Sequence, residues 1–227
     1  MDSLLENLKG GLIVSCQALE HEPLYGSSMM GKMALAAAEG GAAAIRANTA
    51  PDIIEIKKMV ELPVVGLVKR NYVDSEIYIT PTLREVHEGV EAGADIIAFD
   101  ATGRIRPEGQ VLTDFIKEIR QCYPCHLLMA DIATLEEGIL AARLGVDLIS
   151  TTLCGYTPYT AHIGTFCKHL LAELLQKTHV PIIAEGRIST PSLASECIKI
   201  GAHAVVVGSA ITRPQEITRS FVREMNS

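Results

Sequence analysis

The sequence predicts a single (β/α)₈ barrel, and three observations support this prediction. Short apolar segments alternate with longer helical segments, and eight of each can be counted along the 227 residues. The apolar segments are nearly continuous, as in strands that are buried on both faces of a parallel sheet. The glycine fingerprint of an open dinucleotide-binding sheet is missing after the first of them. We therefore expect one domain over residues 1–227.

The predicted strands are short and rich in β-branched residues. In chain order they are Leu12–Ser15, Ala43–Arg46, Val64–Val68, Ile96–Phe99, Leu127–Met129, Leu148–Ser150, Ile182–Ala184 and Ala204–Val207. The predicted helices follow them one by one. They lie near Met29–Glu39, Asp52–Val60, Leu83–Glu91, Leu112–Arg120, Leu135–Leu144, Phe166–Lys177, Ser192–Ile200 and Gln215–Met225.

Signals at the helix ends agree with this division. Glycines in left-handed C-terminal caps are expected just before three strands, at Gly93, Gly145 and Gly201. Capping boxes and first-turn prolines mark four helix starts, at Thr82 with Glu85, Thr134 with Glu137, Pro191 and Pro214.

The composition excludes several classes of protein. Apolar residues make up 48% of the chain and aromatic residues only 4%, with no Trp, so Ala, Val, Ile and Leu must form the core. The net charge of -7 argues against a nucleic-acid partner. Residues 1–10 lack the features of a secretory signal, and no apolar run reaches membrane-spanning length. We expect a cytoplasmic protein without a membrane partner, with its six cysteines reduced.

The candidate active-site residues are those at the carboxyl ends of the strands, because these ends carry the active site in such barrels. They are Gln17, Arg46, Asn48, Lys69, Asp100, Asp131, Thr151, Thr152, Glu185, Gly208 and Ser209. Lys69 and Glu185 stand out, because an ionisable group beside a buried apolar run costs several kcal/mol unless it is paired or used. For Asp100, Thr151 and Thr152, capping of the following turn explains the residue equally well.

A phosphate site is predicted after the last two strands. Gly186-Arg187 and Gly208-Ser209 resemble the loops with which many barrels hold a phosphate, and Arg213 lies nearby. The alternative is a pair of tight turns with surface arginines. Cys122 and Cys125 have the spacing of a zinc or dithiol motif, but no second ligand pair follows and they precede a strand. We therefore predict no metal site.

With these residues identified, the chain resembles the N-acetylmannosamine-6-phosphate 2-epimerase family, which belongs to bacterial sialic acid catabolism. The resemblance extends over the whole chain. Among its most distinctive stretches are Ser15-Cys16-Gln17-Ala18-Leu19, Ile45-Arg46-Ala47-Asn48, Gly66-Leu67-Val68-Lys69-Arg70, Leu128-Met129-Ala130-Asp131-Ile132, Ile183-Ala184-Glu185-Gly186-Arg187-Ile188 and Val207-Gly208-Ser209-Ala210-Ile211-Thr212-Arg213-Pro214.

The resemblance implies a (β/α)₈ barrel that interconverts N-acetylmannosamine 6-phosphate and N-acetylglucosamine 6-phosphate without an organic cofactor. Lys69 would be the catalytic lysine and Glu185 its carboxylate partner. The implied substrate contacts are Gln17, Arg46, Asp131 and Arg213.

Epimerisation at C2 requires removal of a proton beside the open-chain aldehyde, so Lys69 must be neutral. Its pKa would have to fall from about 10.4, through burial and a nearby positive charge such as Arg46 or Arg70. We expect Glu185 to approach from another direction and to bind Arg46 or a substrate hydroxyl. Either Glu185 supplies the second proton, or Lys69 performs both transfers and Glu185 positions or relays.

Two other functions and one assembly state are compatible with parts of the sequence. A Schiff-base aldolase also uses a lysine at a strand end, and a barrel without catalysis could bind a sugar phosphate as a sensor. The aldolase ranks below the epimerase because Lys69 lies on the third strand beside Arg70 and the wider set of motifs matches the epimerase. The sensor ranks last because the lysine and the carboxylate are both present. Apolar outer faces expected at residues 138–142 and 170–175 allow a homodimer.

Overall fold

The computed structural model describes residues 2–226, so Met1 and Ser227, the two ends of the predicted domain, lie outside the described residues. Eight parallel strands pair in chain order, and the last closes on the first. The strands are β1 Leu12–Cys16, β2 Ala44–Asn48, β3 Val64–Leu67, β4 Ile96–Asp100, β5 Leu127–Asp131, β6 Leu148–Ser150, β7 Ile182–Ala184 and β8 Ala204–Val207. The predicted (β/α)₈ barrel is confirmed.

The helices of the described residues surround this barrel. They are α1 Asp2–Leu8, α2 Ser27–Glu39, α3 Ala50–Met59, α4 Leu83–Glu91, α5 Leu112–Cys122, α6 Leu135–Arg143, α7 Lys168–Lys177, α8 Pro191–Ile200, α9 Ser209–Thr212 and α10 Pro214–Met225. All eight predicted helices are present. The predicted Gly93, Gly145 and Gly201 caps have φ of 92°, 80° and 123°, and both predicted capping boxes form.

Helix α1 was not predicted, and it lies at the amino end of the barrel. Leu8 is fully buried in the same apolar cluster as Ile13, and Leu4 and Leu5 pack against that cluster. The N–H of Gly10 donates to the carbonyl of His203 at 2.7 Å. The four-residue spacing of Leu4 and Leu8 is the only sequence signal for this helix.

The barrel interior changes from apolar to polar towards the carboxyl ends of the strands. Alternate residues of each strand point inward. On β7, Ile183 belongs to the interior cluster and Glu185 is the next residue in that direction. On β6, Leu148 is followed in the same way by Ser150 and Thr152. The strand period therefore places a layer of polar side chains above a layer of apolar ones.

One sequence prediction about the surface is wrong. The apolar face expected on the outside of α7 instead packs into the core, because Leu170, Leu171 and Leu174 are all buried between helix and barrel. Leu140 on α6 is exposed, as expected. Within residues 2–226 no helix combines the length and apolarity needed to cross a membrane.

Candidate active site

A cavity of about 930 Å³ opens at the carboxyl ends of the strands. Ten residues were given a catalytic, substrate-binding or phosphate-binding role from the sequence, and nine of them line it, namely Gln17, Arg46, Lys69, Glu185, Gly186, Arg187, Gly208, Ser209 and Arg213. Asp131, the tenth, is fully buried and is bound by Arg46. The structure therefore brings together residues from six strand ends, those of β1, β2, β3, β5, β7 and β8.

Arg46 on β2 binds two carboxylates inside the barrel. Its Nη1 and Nη2 atoms donate to Asp131 Oδ1 and Oδ2 at 3.1 and 2.5 Å, and Nη1 donates to Glu185 Oε2 at 2.8 Å. The predicted contact between Arg46 and Glu185 is confirmed. Burial alone would lower the pKa of the Arg46 guanidinium, but the two carboxylates raise it above its ordinary value. Arg46 is therefore a permanent positive charge with almost no exposed surface.

Glu185, just beyond β7, is held through one of its two oxygens. Oε2 accepts hydrogen bonds from Arg46, from Ser150 at 3.2 Å and from Thr152 at 2.9 Å. Burial raises the pKa of Glu185 above its ordinary value, while Arg46 opposes the shift. The carboxyl group can thus exchange a proton closer to neutral pH than a carboxyl in water.

Lys69 carries the amine that lines the same cavity. Burial is the largest cause that lowers its pKa from 10.5 to about 8, and the positive charges of Arg46 and Arg213 act in the same direction. Glu185 and Asp131 oppose the shift. No ion pair joins Lys69 to a carboxylate among residues 2–226. A substantial fraction of this amine is therefore neutral near pH 8.

Arg70, which we proposed as a second cation acting on Lys69, does not have that role. Its guanidinium is paired with Glu85 and, at 3.0 Å, with Glu88. Arg213 supplies the second positive charge instead. The dipeptide Lys69-Arg70 suggested proximity, but two glutamates of α4 compensate the charge of Arg70.

The turn after β7 has an unusual backbone and a fixed arginine. Gly186 and Arg187 both have positive φ, 97° and 56°, and the second value is uncommon for a residue with a side chain. Arg187 Nη2 donates to the carbonyl of Gly155 at 2.9 Å, and its guanidinium lies 4.6 Å from the ring centre of Tyr156. Its Nε is buried without a hydrogen-bond partner among the described residues.

Arg213 lies between α9 and α10, near the end of the chain, and Glu22 holds its guanidinium in place. Its Nε and Nη2 atoms contact the Glu22 carboxylate at 3.0 and 3.1 Å. Gln215 and the backbone N–H of Leu19 donate to the same carboxylate at 3.0 and 2.8 Å. Gly208 and Ser209 lie between β8 and Arg213, and Ser209 is exposed at the start of α9.

Two strand-end candidates serve the turns rather than the cavity. Asp100 is buried and accepts hydrogen bonds from the backbone and the hydroxyl of Thr102, at 2.9 and 2.7 Å. Thr151 donates to the carbonyl of Glu185 at 2.8 Å and accepts from its N–H at 3.0 Å. Capping is thus the better interpretation of both, whereas Thr152 lines the cavity.

Four polar residues that contribute to the site were not among the candidates. Ser15 and Ser150 follow from the period of the strands, since each lies two residues before a candidate, Gln17 or Thr152. Glu22 and Tyr78 have no sequence signal, because both lie in loops. Tyr78 lines the cavity, and burial raises the pKa of its hydroxyl.

Within residues 2–226 no group of three or more His, Cys, Asp and Glu side chains is placed to hold a metal ion. Cys122 and Cys125 are exposed free thiols.

Comparison with known proteins identifies the family. A family model described as "Putative N-acetylmannosamine-6-phosphate epimerase" matches residues 30–227. The chain belongs to this epimerase family. The protein is therefore an isomerase that acts on a carbohydrate phosphate.

Two bacterial members of the epimerase family are similar over nearly the whole chain, and both are named "Putative N-acetylmannosamine-6-phosphate 2-epimerase". The protein from Shouchella clausii is 54% identical over 99% of this chain and 100% of its own length. The protein from Caldanaerobacter subterraneus is 55% identical over 96% of this chain and 92% of its own length.

Two solved structures are similar to this chain, and one of them is an epimerase. The N-acetylmannosamine-6-phosphate 2-epimerase from Clostridium perfringens superposes with a TM-score of 0.93 and 51% identity, over 97% of this chain and 95% of that one. The thiamine phosphate pyrophosphorylase from Pyrococcus furiosus superposes with a TM-score of 0.60 at 20% identity. The second similarity concerns the barrel fold alone.

Proposed function

We propose that this protein interconverts N-acetylmannosamine 6-phosphate and N-acetylglucosamine 6-phosphate by proton transfer at C2, without a cofactor, in amino-sugar catabolism. The observation that carries the proposal is one cavity lined by an amine whose pKa is lowered to about 8 and a carboxyl group whose pKa is raised. These two groups are Lys69 and Glu185. Shifts in these directions bring an acid and a base together near neutral pH.

The reaction begins with the open-chain sugar, in which the C1 aldehyde makes the C2 proton acidic. The neutral amine of Lys69 takes this proton and becomes an ammonium ion, and the electron pair moves to the aldehyde oxygen. Arg46 is a fixed positive charge at the cavity wall, and Gln17 lines the same cavity with its amide side chain. We assign them to the developing enolate oxygen. Return of a proton to the opposite face of C2 completes the inversion.

We place the substrate phosphate against Gly186, Arg187, Gly208 and Ser209. All four line the cavity, and the guanidinium of Arg187 is already oriented by Gly155 and Tyr156. Arg213, held by Glu22, adds a second guanidinium on the side of α10. Backbone N–H groups and guanidinium ions are the usual partners of a phosphate.

The pH profile of kcat/KM distinguishes the two versions of the proton transfer. If Glu185 handles one proton and Lys69 the other, the active enzyme carries one proton on the pair. Activity then rises through the raised pKa of Glu185 and falls as pH increases through about 8. If Lys69 performs both transfers, it must be neutral, and activity rises through about 8 to a plateau. Above pH 7 the phosphate is already doubly ionised, since its second pKa is about 6.

The test of the proposed function is incubation of the purified protein in D₂O with each of the two N-acetylated epimers, followed by NMR at C2. We expect deuterium at C2 and the same equilibrium mixture from either epimer. Absence of exchange with both epimers would remove the proposed function. Borohydride treatment with substrate separates the aldolase alternative, because covalent trapping of Lys69 requires a Schiff base.

Replacement of Glu185 by Gln refines this test. Retained exchange with lost inversion supports transfer by two groups. Unchanged exchange and unchanged inversion would exclude a proton-transfer role for Glu185. The homodimer and the cytoplasmic location stay predictions from the sequence.

A further inference from the structure

The hydroxyl of Thr152 lies between the carboxylates of Asp131 and Glu185, which do not contact each other directly. Its Oγ1 atom is 2.8 Å from Asp131 Oδ1 and 2.9 Å from Glu185 Oε2. A third oxygen, Ser150 Oγ, lies 2.8 Å from the same atom and 3.2 Å from Glu185 Oε2. Four oxygen–oxygen contacts of hydrogen-bond length thus join four side chains.

A count of hydrogens shows what this arrangement requires. Each hydroxyl supplies one donated hydrogen, and an ionised carboxylate supplies none. With Asp131 and Glu185 both ionised, two hydrogens must serve four contacts, so Thr152 can donate to only one of the two carboxylates at a time. When Glu185 carries its proton on Oε1, its Oε2 is an uncharged acceptor that Arg46 and Ser150 still bind, so Thr152 is free to donate to the ionised Asp131 instead. The cluster can therefore accommodate both protonation states of Glu185 through rotation of one hydroxyl.

The same contacts orient the carboxyl group. Arg46, Ser150 and Thr152 all bind Oε2, and among the described residues none binds Oε1. Since Glu185 lines the cavity, Oε1 is the oxygen that remains for the substrate. Thr152 comes from the loop after β6, and its position two residues beyond Ser150 gives it the same inward direction.

We propose that Thr152 is a positioning residue for Glu185, whose hydroxyl donates to Asp131 while Glu185 is protonated and turns to donate to Glu185 Oε2 once the proton has gone to C2. This inference rests on the proposed function, in which Glu185 contributes to the chemistry at C2. No atom of Thr152 enters or leaves in this step, because the hydroxyl hydrogen only changes its acceptor. The effect is to keep Oε2 bound in both states while Oε1 reacts.

The charged and titratable groups around Glu185 come from several strands. Arg46 of β2 contacts it directly, Asp131 of β5 lies across the Thr152 hydroxyl, and Lys69 beyond β3 lines the same cavity. The pKa of Glu185 responds to Arg46, Asp131, Thr152 and Ser150 after burial. Replacement of Thr152 leaves every one of the charged groups in place, so a change in the titration of Glu185 reports the hydroxyl.

The experiment compares Thr152→Val, Thr152→Ser and Thr178→Val. Valine has the shape of threonine without the hydroxyl, and serine keeps the hydroxyl. Thr178 is the matched control, because its hydroxyl donates to the carbonyl of Leu174 at the end of α7, outside the cavity. Two quantities are measured on each protein: kcat/KM for N-acetylmannosamine 6-phosphate, and the ¹³C NMR titration of the Glu185 carboxyl carbon, assigned by its loss in Glu185→Gln.

For Thr152→Val we expect kcat/KM to fall about ten- to a hundred-fold, the range of one lost hydrogen bond to a charged group. The titration midpoint of Glu185 should rise by about one pH unit, because a donor to the ionised form is lost. Thr152→Ser and Thr178→Val should keep the wild-type midpoint. An unchanged midpoint in Thr152→Val, or an equal shift in Thr152→Ser, would overturn the inference. Failure of the proposed function is a separate result, since it shows as no C2 exchange by the wild-type protein.

Discussion

Two arginines are almost completely buried in this protein, and their surroundings are opposite in kind. Arg46 binds two carboxylates and lines the cavity. Arg106 donates to the backbone carbonyls of Pro81 and Asp100, and its guanidinium lies 3.8 Å from the ring centre of Phe115. Carboxylates raise the pKa of Arg46 despite burial, whereas burial lowers the pKa of Arg106 to about 10.

The comparison teaches that burial of a charge does not by itself identify an active site. Arg106 fastens a loop to the outside of the barrel, because backbone carbonyls and an aromatic ring are fixed partners that do not titrate in the working pH range. Arg46 is surrounded by groups that gain or lose protons, and it lowers the pKa of Lys69. What distinguishes Arg46 is a set of titratable neighbours that share a cavity with it.

The largest expected effect concerns Lys69. This amine titrates under the influence of Arg46, and no amine acts on Arg106 in the same way. We expect Lys69→Met to lower kcat by about a thousand-fold or more, because the proposed base is lost while an apolar side chain replaces a partly buried one. Lys117→Met is the control, since Lys117 is exposed on α5 and should keep full activity. Steady-state kinetics on both variants checks the expectation. A Lys69→Met enzyme with activity within ten-fold of wild type would contradict it.

The second effect compares the arginines directly, through Arg46→Met and Arg106→Met. The first leaves Asp131 and Glu185 buried without their cation, so we expect kcat/KM to fall at least about a hundred-fold and unfolding to require about 3–5 kcal/mol less. The second leaves two backbone carbonyls unpaired, at about 1–3 kcal/mol, with kcat within a few-fold of wild type. Urea unfolding and kinetics on the same samples measure both quantities. Equal losses of kcat in the two variants would break the comparison.

The smallest effect is the pH dependence of stability that Lys69 contributes. Its pKa is 10.5 when unfolded and about 8 when folded, so the unfolded chain binds more protons between these values. The contribution of Lys69 to the free energy of unfolding therefore rises with pH across this window, by about 1–2 kcal/mol once solvent screening at the cavity is allowed for. Below pH 8 Lys69 is protonated in both states and adds no pH dependence. Buried thiols whose pKa is raised, such as Cys16, change the stability in the opposite direction at high pH, so the effect of Lys69 is measured as a difference between two proteins. In urea titrations across this window the free energy of unfolding of wild type minus that of Lys69→Met should increase with pH, and a difference that stays constant would refute the expectation.

The sequence predicted the barrel well because its signals are local and repeated. Each of the eight predicted strands overlaps an observed one, and the deviations lie at the strand ends, where β5 continues to Asp131 and β3 stops at Leu67. The position of the candidate cavity was predictable from the same signals, since the carboxyl ends of the strands of a closed barrel meet at one rim. Thr152 and Asp131 could be named as candidates from this argument alone.

What the sequence could not predict depends on contacts between distant loops. The role of Glu22 as the partner of Arg213 joins residues 191 positions apart. The prediction for Arg70 was wrong for a related reason. Its partners Glu85 and Glu88 lie on α4, and their contact with Arg70 could not be inferred from the residues next to it in the chain. The α7 face was assigned to the surface because an apolar stripe shows that a helix is buried on one side but does not identify the side.

The ion pairs of Arg46 also have a consequence for how this chain acquires its structure. Arg46 meets carboxylates that are 85 and 139 residues further along the chain. An incompletely wound barrel would contain the cation without one or both of these anions, and an uncompensated charge of this kind is costly in an apolar interior. The ion pairs of the candidate site thus penalise partial assemblies and favour closure of the whole cylinder in one cooperative event.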